Sequence, residues 1–111
     1  QINPKSEEVI KQMAAHNLII DDDFKSELYL KKLKDNQQLD VQSIDYCEDL
    51  LESTPENGTL ITHGMLDSYG AHYNQITNKK RKDVEIINLD FLQSKTYQQN
   101  LIKKGFIIIL Y

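Results

Sequence analysis

The sequence predicts an α/β domain: a helical N-terminal half, then a small three-stranded parallel sheet with flanking helices, half of a Rossmann-like unit. Three observations predict it. Apolar residues recur at helical spacing through the first half. Three short apolar runs, Thr59–Thr62, Val84–Leu89 and Phe106–Leu110, follow in the second half. Stretches of helical period separate those runs, which is the pattern of parallel strands joined by crossovers. At 111 residues the length is that of one domain, 1–111, helical over 1–54 and βαβαβ over 55–111.

Pro4 and Ser6 open a first helix with Val9, Ile10, Met13 and Ala14 on one stripe, ending near Asn17. After Leu18-Ile19-Ile20 comes the acidic trio Asp21-Asp22-Asp23. It lacks the glycine and the distal glutamate of a calcium loop, and carboxylates suit a helix N-terminus by complementing its dipole. Phe24, Leu28, Leu30 and Leu33 mark a second helix, to about Asn36. A third runs from about Asp40 to Ser53 with Val41, Ile44, Cys47 and Leu51 on one face. Pro55-Glu56-Asn57-Gly58 is turn chemistry, and Thr59–Thr62 follows as a buried strand.

Met65, Tyr69, Tyr73 and Ile76 lie at helical steps along one face of a fourth helix. Val84–Leu89, bounded by Asp83 and Asp90, is the second strand. Ser94 caps a fifth helix carrying Tyr97 and Leu101, and Lys103-Lys104-Gly105 closes it. Phe106–Leu110 is expected as a third parallel strand beside Thr59–Thr62. Left as a bare edge it would be sticky; strand order 2-1-3, a partner chain or further sequence would each relieve it.

Composition narrows the functions. The chain is 40% hydrophobic and 27% charged, as globular domains are. A net charge of −4 and a pI near 5.3 argue against nucleic acid as a partner, because phosphate binding needs a cationic surface. The basic run Lys79-Lys80-Arg81-Lys82 reads as a solvated loop after a helix C-terminus. Cys47 lies in an apolar stripe among Asp45, Glu48 and Asp49, which fits a buried structural thiol and not a thiolate nucleophile. No apolar run reaches membrane-spanning length. The first residue is Gln rather than Met, which is consistent with processing and a removed export signal.

The candidate site is the rim beyond the carboxyl ends of the strands, where α/β sheets bind ligands. It carries His63, Gly64, Asp67, Ser68 and Tyr69 after the first strand, and Asn88 and Asp90 after the second. His63 with Asp67 or Asp90 could act as a base and its orienting group, or as part of a metal site. Simpler roles compete with these. Asp67 or Ser68 can cap the following helix, Gly64 can serve a turn, and His72 falls on the helix surface. Leu66-Asp67-Ser68-Tyr69-Gly70 lacks the first glycine of a nucleophile elbow, and no Gly-rich phosphate loop is present. These absences point to no catalytic residue, no bound metal and no cofactor.

Pro55-Glu56-Asn57-Gly58-Thr59-Leu60-Ile61-Thr62-His63-Gly64, then Asp67-Ser68-Tyr69, then Asp83-Val84-Glu85-Ile86-Ile87-Asn88-Leu89 with Leu92, resembles a soluble segment of a family of bacterial multi-pass membrane proteins described as mannosyltransferase-like. The likeness covers about residues 49–102, including the aromatic helix of Tyr97 and Leu101. Gly64, Asp67, Ser68 and Tyr69 fall on the family's turn motif. His63 stands for its Asn, and Met65-Leu66 replace its Asp-Asn pair, so half of the acidic turn is gone. The resemblance implies an extracytoplasmic, periplasmic setting. Together these readings predict a non-catalytic interaction module, an accessory subunit of a bacterial cell-envelope assembly with a protein partner. The alternative is a carbohydrate- or metal-dependent ligand-binding or enzymatic domain using the rim.

Overall fold

A computed structural model describes the backbone of residues 4–107 and the side chains of 7–64 and 67–107. Among the described residues five α-helices form: α1 (Pro4–Ile19), α2 (Asp23–Asp35), α3 (Val41–Ser53), α4 (Met65–Ile76) and α5 (Lys95–Lys103). Two strands, β1 (Thr59–Thr62) and β2 (Glu85–Asn88), flank α4, and a short 3-10 helix at Leu89–Gln93 leads into α5. Local side chains start three of these helices by accepting an otherwise unpaired N–H. Asp22 accepts from Lys25 N–H at 3.1 Å, Asp40 from Ser43 N–H at 2.7 Å, and Ser94 from Tyr97 N–H at 3.3 Å.

The sheet corrects the expected fold class. β1 and β2 pair in parallel, Thr59 opposite Glu85 through Thr62 opposite Asn88, and among the described residues the sheet has only these two strands. The domain is mainly helical rather than built on a three-stranded sheet. At Phe106 the reason is visible. Gly105, at φ 101°, ends α5 in a left-handed turn, its N–H donating to Ile102 O at 3.0 Å while Phe106 N–H donates to Leu101 O at 3.1 Å. That is a Schellman closure, so the amide that a strand would need is committed to the helix end. Phe106 packs its ring on the core, Phe106 and Ile107 belong to neither helix nor strand, and 108–110 lie outside the described residues. Nor is the sheet covered on both faces, since Ile61 is 60% exposed.

The core is in two parts. Ala14 and Leu18 of α1, Leu30 and Leu33 of α2, Ile44, Tyr69, Tyr73, Phe91, Tyr97 and Leu101 form the larger; Cys47, Leu51, Ala71, Val84 and Ile86 form the smaller. Helix α1 packs on α2, and α3 on α4. Buried Asn74 of α4 ties the second pair, its amide donating to Ile44 O at 2.8 Å and Gly70 O at 3.0 Å.

The basic run is more than a solvated loop. Arg81 Nη1 donates to Leu51 O at 2.6 Å and Nη2 to Thr54 O at 2.9 Å, while Nε meets Asp83 Oδ1 at 3.1 Å. A planar fork suits this task, because carbonyls at a helix end lack intrahelical partners. Lys80 pairs with Glu48 of α3. No helix among the described residues is long and apolar enough to cross a membrane.

Candidate functional site

The rim at the carboxyl ends of β1 and β2 assembles in part. Gly64 begins α4 at φ 93° without a side-chain cap, and its N–H donates to Asp90 Oδ2 at 3.0 Å. The other oxygen of Asp90 lies 3.8 Å from Nε2 of His63, whose side chain is 80% exposed. Asn88 Oδ1 accepts Asp90 N–H at 2.8 Å, which fixes the turn out of β2. The expected capping role of Asp67 or Ser68 is not taken up. Gly64 holds the cap position, and Asp67 stands in the first turn.

Three rim residues turn inward. Ser68 is fully buried with an unpartnered hydroxyl, and Tyr69 donates its hydroxyl to Lys11 O of α1 at 2.9 Å. Asn88 is also fully buried, with its amide nitrogen unpartnered. The part of the rim open to water is therefore His63 and Asp90, with Gly64 and Asp67 half-buried. Among the described residues no cluster of three or more His, Cys, Asp or Glu side chains is placed to hold a metal ion. Nearby Cys47 donates its S–H to Asp67 O at 3.4 Å, and burial, with the Asp67 charge, pushes the thiol up to about 11. A thiol so placed is no nucleophile.

A concavity lies elsewhere. A cavity of about 410 Å3 opens between the α1–α2 corner, α4, the loop after α4, β2 and α5. Its apolar lining includes Leu18, Ile76, Ile86 and Leu101, and its polar lining His72, Gln75, Tyr97, Asn100 and charges of both signs. Lys104, at the C-terminal cap of α5, lines it, 3.0 Å from Glu85 of β2 and 3.4 Å from Asp21 at the corner. Burial opposes the charge of Lys104, but these two carboxylates raise its pKa above the ordinary lysine value. Asn100 donates to Ile19 O at 3.1 Å, and Tyr97 hydroxyl accepts Asn88 N–H at 2.9 Å, so α5 is held to both the corner and the sheet.

His72 is the residue that sequence reasoning placed wrongly. It is not a plain surface residue of α4 but part of the cavity wall, half-buried. Burial, reinforced by the like charge of Lys104 and opposed by Asp21, pushes its imidazole down to about 4. At neutral pH it is an uncharged ring offering one donor and one acceptor. A signal was present: position 72 is three after Tyr69 and four before Ile76, inside the apolar stripe rather than opposite it. Asp23, also in the wall, has its carboxyl raised by burial and by Asp21, against the pull of Lys104 and Lys82.

A family model described as TMEM260-associated domain 2 matches residues 43–106, more than half of the chain. The match runs from α3 through the closure of α5 and ties the domain to a membrane-protein family. No curated protein and no solved structure matches the chain.

Proposed function

The chain belongs to the TMEM260-associated domain 2 family, and on that premise we propose that it is a non-catalytic interaction module, an accessory part of a cell-envelope assembly built on a membrane protein. We place it on the extracytoplasmic side of a bacterial membrane, with a mannosyltransferase-like protein as the membrane component; both points rest on the turn motif Gly64, Asp67-Ser68-Tyr69 and its neighbours. The observation that carries the reading is the exposure of large apolar residues at the α1–α2 corner and along α2. Phe24 is 82% exposed, and Leu28 one turn on along α2 and Ile20 just before it are 46% and 40% exposed. A large aromatic left in water beside aliphatic neighbours is the composition of a protein-docking patch.

The rim supports catalysis poorly by comparison. Its hydroxyls are buried or spent, and His63 stands in water at 3.8 Å from Asp90, beyond hydrogen-bonding distance. The test is co-expression with the family's membrane protein. Phe24→Ser with Leu28→Ser is expected to abolish co-purification while leaving thermal unfolding unchanged. Undiminished co-purification of a folded double variant would sink the proposal.

A further inference from the structure

We propose that the cavity between the α1–α2 corner, α4 and α5 binds a small zwitterion, an amino acid or short peptide presenting one ammonium and one carboxylate. Its charges are sorted by wall. Asp21, Asp23 and Glu27 come from the corner and α2, whereas Lys79 and Lys82 come from the loop after α4. Between the walls, Lys104 is neutralised by Asp21 and Glu85. Asp23, Lys79 and Lys82 make no ion pair among the described residues.

Helix dipoles account for acids at the start of α2 and for bases after α4. They do not account for both sets facing one cavity. The charge of Lys82 reaches Asp23 across the cavity they both line, where it partly offsets the rise of that carboxyl's pKa, so one occupant can feel both walls. An ion of one sign would be attracted by one wall and repelled by the other; a dipolar molecule gains from both. Neutral His72 and the amide of Gln75 add uncharged polar groups to the wall, and 410 Å3 is the size of a small-ligand site. This assignment does not depend on the docking patch, and its test needs no partner.

The experiment is an NMR titration of the 111-residue chain with glycylglycine and γ-aminobutyrate, using acetate and methylammonium as single-charge controls. Saturable shifts of the His72 ring are expected with at least one zwitterion and not with either control. Asp23→Asn, and Lys79→Gln with Lys82→Gln, are each expected to weaken binding about tenfold with the remaining spectrum unchanged. No response to either zwitterion, an equal response to acetate, or unweakened binding in both variants would overturn the proposal.

Discussion

Gly70 of α4 lies so close to Cys47 of α3 that a Cβ at position 70 would stand 2.5 Å from Sγ and 3.1 Å from Cβ of Cys47. Ser43 O, at 3.2 Å, closes the same space from the backbone side. Helix α3 can pack on α4 at this spacing only because position 70 has no side chain. Gly70→Ala should cost about 1–3 kcal/mol through overpacking. Urea melts of Gly70→Ala, Cys47→Ala and the double variant should show favourable coupling, because losing Sγ makes room for the new methyl. Additive effects would mean that the two helices do not meet as described.

Asp83 is held down to about 2 by the Arg81 guanidinium and then by Asn57 N–H at 2.8 Å. Its folded pKa is depressed, so the stability it contributes is complete above pH 4 and is lost as pH falls from about 4 to about 2. Asp83→Asn should flatten that acid limb in melting-temperature profiles. Arg81→Lys should lower the melting temperature at every pH, since an ammonium cannot reach Leu51 O, Thr54 O and Asp83 together.

His72 predicts a separate limb at higher pH. Its proton affinity is lower folded than unfolded, so the unfolded chain takes up the proton first. Stability is full above about pH 6.5 and falls on the order of 2–3 kcal/mol as pH drops toward 4. The pH dependence of urea unfolding for His72→Gln, subtracted from that of the parent, isolates this term from His16 and His63. A difference flat across that window would contradict the buried environment.

Ile86 and Ile61 test the one-sided sheet. Ile86 is 4% exposed against Cys47, Leu51 and Ala71, and Ile86→Ala should cost about 2–5 kcal/mol. Ile61 is open to water, and Ile61→Thr should change stability by no more than about 0.5 kcal/mol. Equal, large losses in denaturant melts would place a cover over Ile61.

The element pattern was legible where local chemistry decides it. Turn residues at 55–58 isolate Thr59–Thr62, and the caps at Asp22, Asp40 and Ser94 are short-range hydrogen bonds. The break at Phe106, the one described start of the expected third strand, was not legible. An apolar run records a wish for burial, whereas pairing depends on free amides, and that of Phe106 is bound to Leu101. In the rim, Asn88 and Asp90 could be placed by counting along β2. The hydroxyl of Tyr69 could not, because its partner Lys11 is 58 residues away. The cavity was invisible for the same reason: its walls come from both halves of the chain, and no motif joins Asp23 to Lys82.

The cavity straddles the border of the family match. Asp21, Asp23 and Phe24 precede residue 43, whereas His72, Lys82 and Lys104 follow it. It is therefore a property of a junction, created when the α1–α2 hairpin is laid on the family core through contacts such as Asn100 to Ile19 and Lys104 to Asp21. A family core joined to a different hairpin would keep its basic wall and acquire a new opposite one. Selectivity in such a design is exchangeable by swapping about forty N-terminal residues, with the sheet, the Arg81 fork and the Gly70 contact left untouched.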